Sequence, residues 1–359
     1  MKWYKTIDFY ITKKFLGTFF YAIGLILSIA IVFDISENLV EFLSKEIPFR
    51  DIFFDYYLNF IPYFANLFSP LFTFIAVIYF TSKMAYNTEI IAILSSGVSY
   101  GRLMRPYLVS AFVIAVLSFV LGNFIIPPAN STMINFRNKY IQTNVVNTER
   151  NIHRQIEPGT YIYMKNFNSN NIGYNFSMER FEDAQLKEKL TARNISWNKE
   201  TNKWVINSYW KRIIYDDYEE FEKGYQMDTT LNMSPKDFQQ LRNEMETYIT
   251  PDLINEIEMM KMRGVNYVEW EIEKHKRFAN PFSAFILTLI GVSLASRKIK
   301  GGLGLHLGIG LLLSFSYILF MQVSTVFAIS GNTPPYIAVW IPNCVYSLIA
   351  LFVYRWAAR

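Results

Sequence analysis

Few side chains in this sequence are of the kinds that make or break bonds. The three histidines, His153, His275 and His306, lie far apart and show no paired spacing of the sort that holds a metal ion. Cys344 is the only cysteine, so neither an internal disulfide nor a zinc-type spacing can form, and its place inside an apolar run reads as packing. Gly302, Gly304 and Gly308 look like a fragment of a phosphate-binding glycine pattern. No strand is expected before them and an apolar helix contains them, so close helix packing is the ordinary explanation. The sequence has no Walker-type run of glycine, lysine and serine or threonine, and no nucleophile elbow. No catalytic residue, metal or cofactor is expected, and the chain is not read as an enzyme.

The chemistry that remains is recognition. Asn87 to Pro106, NTEIIAILSSGVSYGRLMRP, is a polar-edged stretch between two long apolar runs. Asn87 is placed to cap a helix, Glu89 lies in the first turn, where negative charge suits the helix dipole, and Gly97 stands where a left-handed cap is usual. About two and a half turns of helix are expected over residues 87–97. Ile90, Ile93, Leu94 and Gly97 share one face by their three-and-four spacing, while Glu89, Ala92 and Ser96 make a second, small and polar one. Local pattern leaves two readings: a tight connection whose Glu89 is merely solvated, or a helix offered to a cytoplasmic partner.

The elements that must position this stretch are membrane helices. With 52% hydrophobic and 17% aromatic residues in 359, the chain is too apolar for an ordinary soluble protein of its size. Runs nearly free of charge occur at 15–33, 57–82, 108–126, 281–296, 303–329 and 336–354, most of them long enough to span a bilayer. Six spans follow, three before a polar middle and three after it. The first is not read as a cleavable signal, because its charged lead is long and no small-residue cleavage pattern closes it.

Orientation follows from Lys and Arg, which stay on the cytoplasmic side. One set of helix ends carries Lys2, Lys5, Lys13, Lys14, Lys83, Arg102, Arg105, Arg297, Lys298, Lys300, Arg355 and Arg359 against Asp8 and Glu89. The opposite first loop carries Asp34, Glu37, Glu41, Glu46, Asp51 and Asp55 against Lys45 and Arg50. Both termini and the Asn87 stretch are therefore expected in the cytoplasm, and the polar middle outside. The net charge of +5 then reports topology, and nucleic acid is not an expected partner.

Asp34 and Glu37 sit at the outer mouth of the first span, where they mark its end or line a cavity mouth. Pro62 and Pro70 suggest a bend in the second span, and Pro127 and Pro128 are expected to end the third. Beyond them the period becomes two. Tyr161, Tyr163 and Lys165 alternate with Ile162, Met164 and Asn166, and further strands are expected at 172–181, 190–197, 204–215 and 225–231. Such a series reads as an antiparallel sandwich, jelly roll or open barrel. A helix at 251–263 ended by Gly264, and a charged helical run at 267–278, lead into the fourth span. The expected division is 1–128 for the first three spans, 129–274 for the β domain and 275–359 for the last three.

The three-plus-three layout, the stretch TEIIAILSSGVSYGRLMRP and the later GGLGLHLGIGLLLSFSYILF resemble the LptF/LptG permeases of the bacterial lipopolysaccharide transporter. The likeness covers the whole chain in layout, and the opening DFYITKKFLGTFF leans toward LptG. It implies an inner-membrane permease subunit, paired with a second permease of the same kind and driven by a dimer of the cytoplasmic ATPase LptB. In that family the helix matching 87–97 fits a groove on the ATPase, so the resemblance favours docking, with Glu89, Ile90, Ile93, Leu94 and Gly97 as the contact. It also implies that lipopolysaccharide passes from a cavity between the permeases to the periplasmic β-jellyroll, and on to a jellyroll partner of the LptC or LptA kind. Ile162, Met164 and Ile195 are the expected inward positions on that lipid path. LptG-type permeases can carry basic groups near the outer end of the first span, where this chain has Asp34 and Glu37. The rival reading is a membrane-anchored binding protein or sensor whose β domain holds a ligand.

Overall fold

In lipid every backbone N–H and C=O must find its partner inside the chain, so apolar runs of this length become helices. The computed structural model describes residues 6–141, 150–168, 170–238, 244–296 and 302–358. The turn bearing Arg297, Lys298 and Lys300, together with Lys2, Lys5, Arg359 and the His306 side chain, lies outside the described residues. Among the described residues six helices are long and apolar enough to cross a membrane: α1 (Thr6–Ser44), α2 (Phe49–Tyr86), α4 (Tyr100–Tyr140), α6 (Val268–Ala295), α7 (Gly302–Ile329) and α8 (Pro335–Ala357). Short α3 (Glu89–Ser95) joins α2 to α4, and α5 (Thr250–Met262) precedes α6. The chain divides into a helical unit, Met1–Gln142 with Met245–Leu253 and Val268–Arg359, and a β unit, Thr143–Glu244 with Ile254–Tyr267.

Within the helical unit α6 is the central post. Its most apolar stretch is 67% buried, against 17% for that of α1. Small residues let α6 and α7 approach α2: a Cβ built on Gly291 would lie 2.3 Å from Val77, and one on Gly310 2.4 Å from Ile78. Gly304 and Gly308, the expected packing glycines, meet nothing described within 4 Å. Glycine content marks a helix that can pack closely; the neighbour's position decides which glycine does.

Two of the expected helix ends are corrected. The first helix runs through Asp34 and Glu37 to Ser44, because polar residues outside the apolar run can still continue a helix. The third passes Pro127 and Pro128 and ends only at Tyr140. A π-helical turn over Leu121–Ile125 resets the hydrogen-bond register, and both prolines then fall in the first turn of the next helical segment, where a missing N–H costs little. A second π turn, Ile52–Tyr57, opens α2.

At the end of the bundle that carries α3, α1 and α4 are tied by a two-toothed ion pair. Arg102 donates from both terminal nitrogens to the two Asp8 oxygens at 2.6 Å. Asp8 is 4% exposed, so its charge depends on that partner.

The β unit is one antiparallel meander in the order β1-β2-β3-β4-β5-β6: β1 (Arg150–Glu157), β2 (Thr160–Phe167), β3 (Ile172–Glu182), β4 (Gln185–Asn198), β5 (Lys203–Ile214) and β6 (Glu219–Thr229). Its core gathers Ile152, Ile162, Met164, Phe176, Leu190, Ile195, Trp204 and Ile206. The expected unbroken alternation is corrected here, because the buried parity slips by one in each inner strand. The inward set is Ile162 and Met164, then Phe167, on β2; Gly173, then Phe176, on β3; Leu190 and Ala192, then Ile195, on β4; Trp204 and Ile206, then Tyr209, on β5. Asn166, which a regular period of two puts in phase with Ile162 and Met164, is exposed. The strands stay in register because each slips at the same level, along the row Asn151, Lys165, Asn175, Arg193, Ser208 and Tyr225. Flanking residues pair across every interface, except Met164 with Phe176 between β2 and β3, and the row residues do not pair at any. Asn151, Asn175 and Ser208, on alternate strands, have φ of 54°, 53° and 52°.

Replacing Asp8 with Asn leaves the Arg102 guanidinium short of its counter-charge. The expected loss is about 2 to 3 kcal/mol, below the figure for a fully buried pair because Arg102 keeps 25% of its side chain exposed. A lowered unfolding midpoint in detergent, largely restored by Asp8→Glu, is the expected reading; an unchanged midpoint would refute the role of the pair.

Candidate functional site

The α3 turn is set by two left-handed residues. Thr88 (φ 61°) turns the chain out of α2 and Gly97 (φ 88°) turns it out of α3, with the Gly97 N–H donating to the Leu94 carbonyl at 3.1 Å. Gly97 thus stands as the sequence reading has it. Asn87 does not cap α3; it ends α2, and its amide donates instead to Glu89 Oε1 at 3.2 Å. Tyr10 of α1 donates to Glu89 Oε2, also at 3.2 Å, which leaves the carboxylate half-exposed and oriented.

The apolar face lies differently from the one expected to meet a partner. Ile90 is 1% exposed and belongs to the main core of the helical unit, against which Ile93 and Leu94, both half-buried, also pack. A helix joined to a bundle by tight turns presents its most apolar stripe to that bundle first. What α3 leaves exposed is Ile91 (51%), Ala92, Ser95, Ser96 and Gly97, beside Glu89. Ile91 escaped the sequence reading because it lies off the three-and-four stripe; its three-and-four spacing from Asn87, Thr88 and Ser95, which puts a bulky apolar residue on the polar face, was the signal available.

At the other end of α1, Asp34 accepts hydrogen bonds from Tyr56 and Tyr57, both at 3.0 Å, beside a cluster of Phe42, Tyr56, Tyr57 and Phe136. The π turn is what carries both neighbouring tyrosines to one carboxylate. Glu37 is exposed. In the β unit Ile162, Met164 and Ile195 all face inward and are 2%, 0% and 0% exposed in a closed core.

A polar cavity in the helical unit was not foreseen from sequence. It holds about 340 Å3 among α2, α4, α6, α7 and the segment before α5, with Tyr63, Asn66, Asn130, Glu246, Lys276 and Gln322 on its walls. Arg277, 5% exposed, anchors one side: it donates to Glu273 at 2.9 Å, to the Tyr248 carbonyl at 2.8 Å and to the Met245 carbonyl at 3.1 Å. Thr250 donates in turn to Asn123 at 2.6 Å, whose amide satisfies the Phe119 carbonyl next to the π turn. Asn130 donates to Glu246 at 3.3 Å, and its own buried Oδ1 has no hydrogen-bond partner among the described residues. Amides within apolar runs, such as Asn66 and Asn123, were the sequence signal for this chamber.

Burial, and next the nearby Glu273 carboxylate, push Glu246 up to about 7, against the pull of Lys276 and Arg277. The folded chain therefore keeps a proton that the unfolded carboxyl releases near 4.5. Stability from this group is full below that value, falls as pH rises toward 7 and is flat above it. Glu246→Gln is expected to remove the fall, worth on the order of 3 kcal/mol, when unfolding midpoints are compared across that range. Parallel pH profiles for the two proteins would refute this assignment.

The family model described as lipopolysaccharide export system permease LptF/LptG matches residues 9–356. No curated protein matches the chain. The match takes in all six long helices, the α3 turn and the inserted antiparallel sheet. This chain belongs to the LptF/LptG family of lipopolysaccharide export permeases.

Proposed function

We propose that the chain is one of a pair of inner-membrane permeases that lift lipopolysaccharide out of the bilayer and pass it to a periplasmic β-jellyroll partner. A separate cytoplasmic ATPase dimer supplies the energy, and the chain is a transporter subunit with no catalysis of its own. The observation that carries this reading is the family match over nearly the whole chain. The β unit faces the periplasm and both termini face the cytoplasm, as the distribution of Lys and Arg favours.

The physical task explains the parts. Each methylene taken from bilayer to water costs about 0.8 kcal/mol, so a lipid with several acyl chains cannot leave unassisted. An apolar chamber between paired permeases replaces the bilayer as solvent. Closure of the ATPases on ATP presses the α3 surface, and the helices packed on α3 carry that displacement to the chamber. The inner face of the β unit then shields the acyl chains from water.

Glu89→Lys and Ile91→Asp are expected to leave the chain folded and inserted, while cutting ATPase co-purification and lipid release at least tenfold, about 1.4 kcal/mol or more. Ile90→Ala is expected to lower stability instead, by about 2 to 5 kcal/mol, because Ile90 is core. Retention of the ATPase and of transport by both Glu89→Lys and Ile91→Asp would defeat the docking reading.

Orientation is tested separately, with single cysteines at Ser99 and Asn202 in a Cys344→Ser background. An impermeant thiol reagent on intact spheroplasts should label the Asn202 position and spare the Ser99 position. Photo-crosslinkers at Ile162, Met164 and Ile195 should capture lipopolysaccharide only when ATP is supplied; capture indifferent to ATP would favour a ligand-binding sensor.

A further inference from the structure

The β unit presents a lipid path with a difficulty, since the positions that would receive an acyl chain lie in a core already closed. The parity slip bears on how it opens. Asn151, Lys165, Asn175, Arg193, Ser208 and Tyr225 form one transverse row, all of them exposed, and no pairing joins them at any of the five strand interfaces. We propose that this row is a hinge line, along which the two halves of the sheet swing apart to open the core. As a route for acyl chains the hinge rests on the function proposed above; as a motion it stands alone.

Three features support it. Bending about the row breaks no ladder pair, whereas bending at any other level would break pairs in several strands at once. The row crosses β1, β3 and β5 at non-glycine residues held in the left-handed region, a conformation that Asn tolerates and that costs little to leave. Each half also has its own inward set. Ile152, Ile162, Met164 and Leu190 belong to one, while the other is pinned by Trp204, whose indole N–H donates to the Met233 carbonyl at 2.9 Å, with Phe167 and Phe238 against it.

The contact that crosses the line is soft. The Met164 sulfur lies over Gly173, 2.2 Å from where a Cβ would stand, and Ile195 lies 3.0 Å from the same point. Met164 belongs to the first half, Gly173 and Ile195 to the second. A flexible thioether over a bare backbone can slide without leaving its rotamer wells, unlike a branched side chain.

The test uses spin-label pairs on the full-length chain in lipid nanodiscs, in the Cys344→Ser background. Labels at Gln185 and Lys203 lie on opposite sides of the row, and labels at Glu157 and Asp217 lie on the same side. The cross-row distance distribution should be at least twice as wide as the same-side one, and the pair Asn175→Gly with Ser208→Gly should widen it further. Equal widths in the unaltered chain, or widths indifferent to both glycines, overturn the hinge. A wide cross-row distribution with no lipid captured at Ile162 supports the hinge and overturns the lipid-receiving role of the β unit.

Discussion

The structure of the helical unit depends on one constraint: a backbone polar group in the membrane must be satisfied from within the protein. A regular helix does this without help, and every departure from regularity has to be answered by a side chain. The π turn at Leu121–Ile125 is the clearest case. It lets α4 continue past two prolines, and Asn123 serves the Phe119 carbonyl beside it while accepting from Thr250. Thr250 also accepts from Arg277, so the local irregularity in α4 becomes a tie to α6 and to the segment before α5. The polar chamber beside Glu246 follows from that tie, since groups recruited to satisfy backbone cannot be replaced by apolar ones.

The six long helices and the inserted sheet were legible from sequence because each rests on a signal summed over many residues. An apolar run survives the loss of one position, and so does a sheet's average alternation. Details set by a single slip were not legible. A strand with its parity shifted at Lys165 differs from a regular one in whether Asn166 or Phe167 turns inward, and both are compatible with period two read over a short window. The slip becomes visible only when all strands are aligned, because it occurs at one level in each.

The α3 stretch shows the same limit from another side. Periodicity correctly grouped Ile90, Ile93 and Leu94 on one face, and could not say what that face meets. The first claimant on an apolar stripe is the protein's own core, and Ile90 answers to it. The polar partners were legible only as types: Glu89 as a first-turn acid, without any sign that Tyr10, 79 residues away, would donate to it.

That inward face matters for how a load on α3 would travel. A seven-residue helix bounded by left-handed turns could swing freely on its two joints if nothing held its face. Ile90 prevents this, because it is embedded with Met84 of α2, Leu103 and Met104 of α4 and Ile11 of α1 in one close-packed cluster. The Asp8 to Arg102 pair binds α1 to α4 a few residues away, so one core cluster and one ion pair join the three helix ends and α3. A partner pressing on the exposed Ile91 and Glu89 surface, as proposed above, would then act on α1 and α4 through these contacts. Under the docking role proposed above, burying the apolar stripe and leaving a narrow polar-edged surface outside is what would let so short a helix transmit a load.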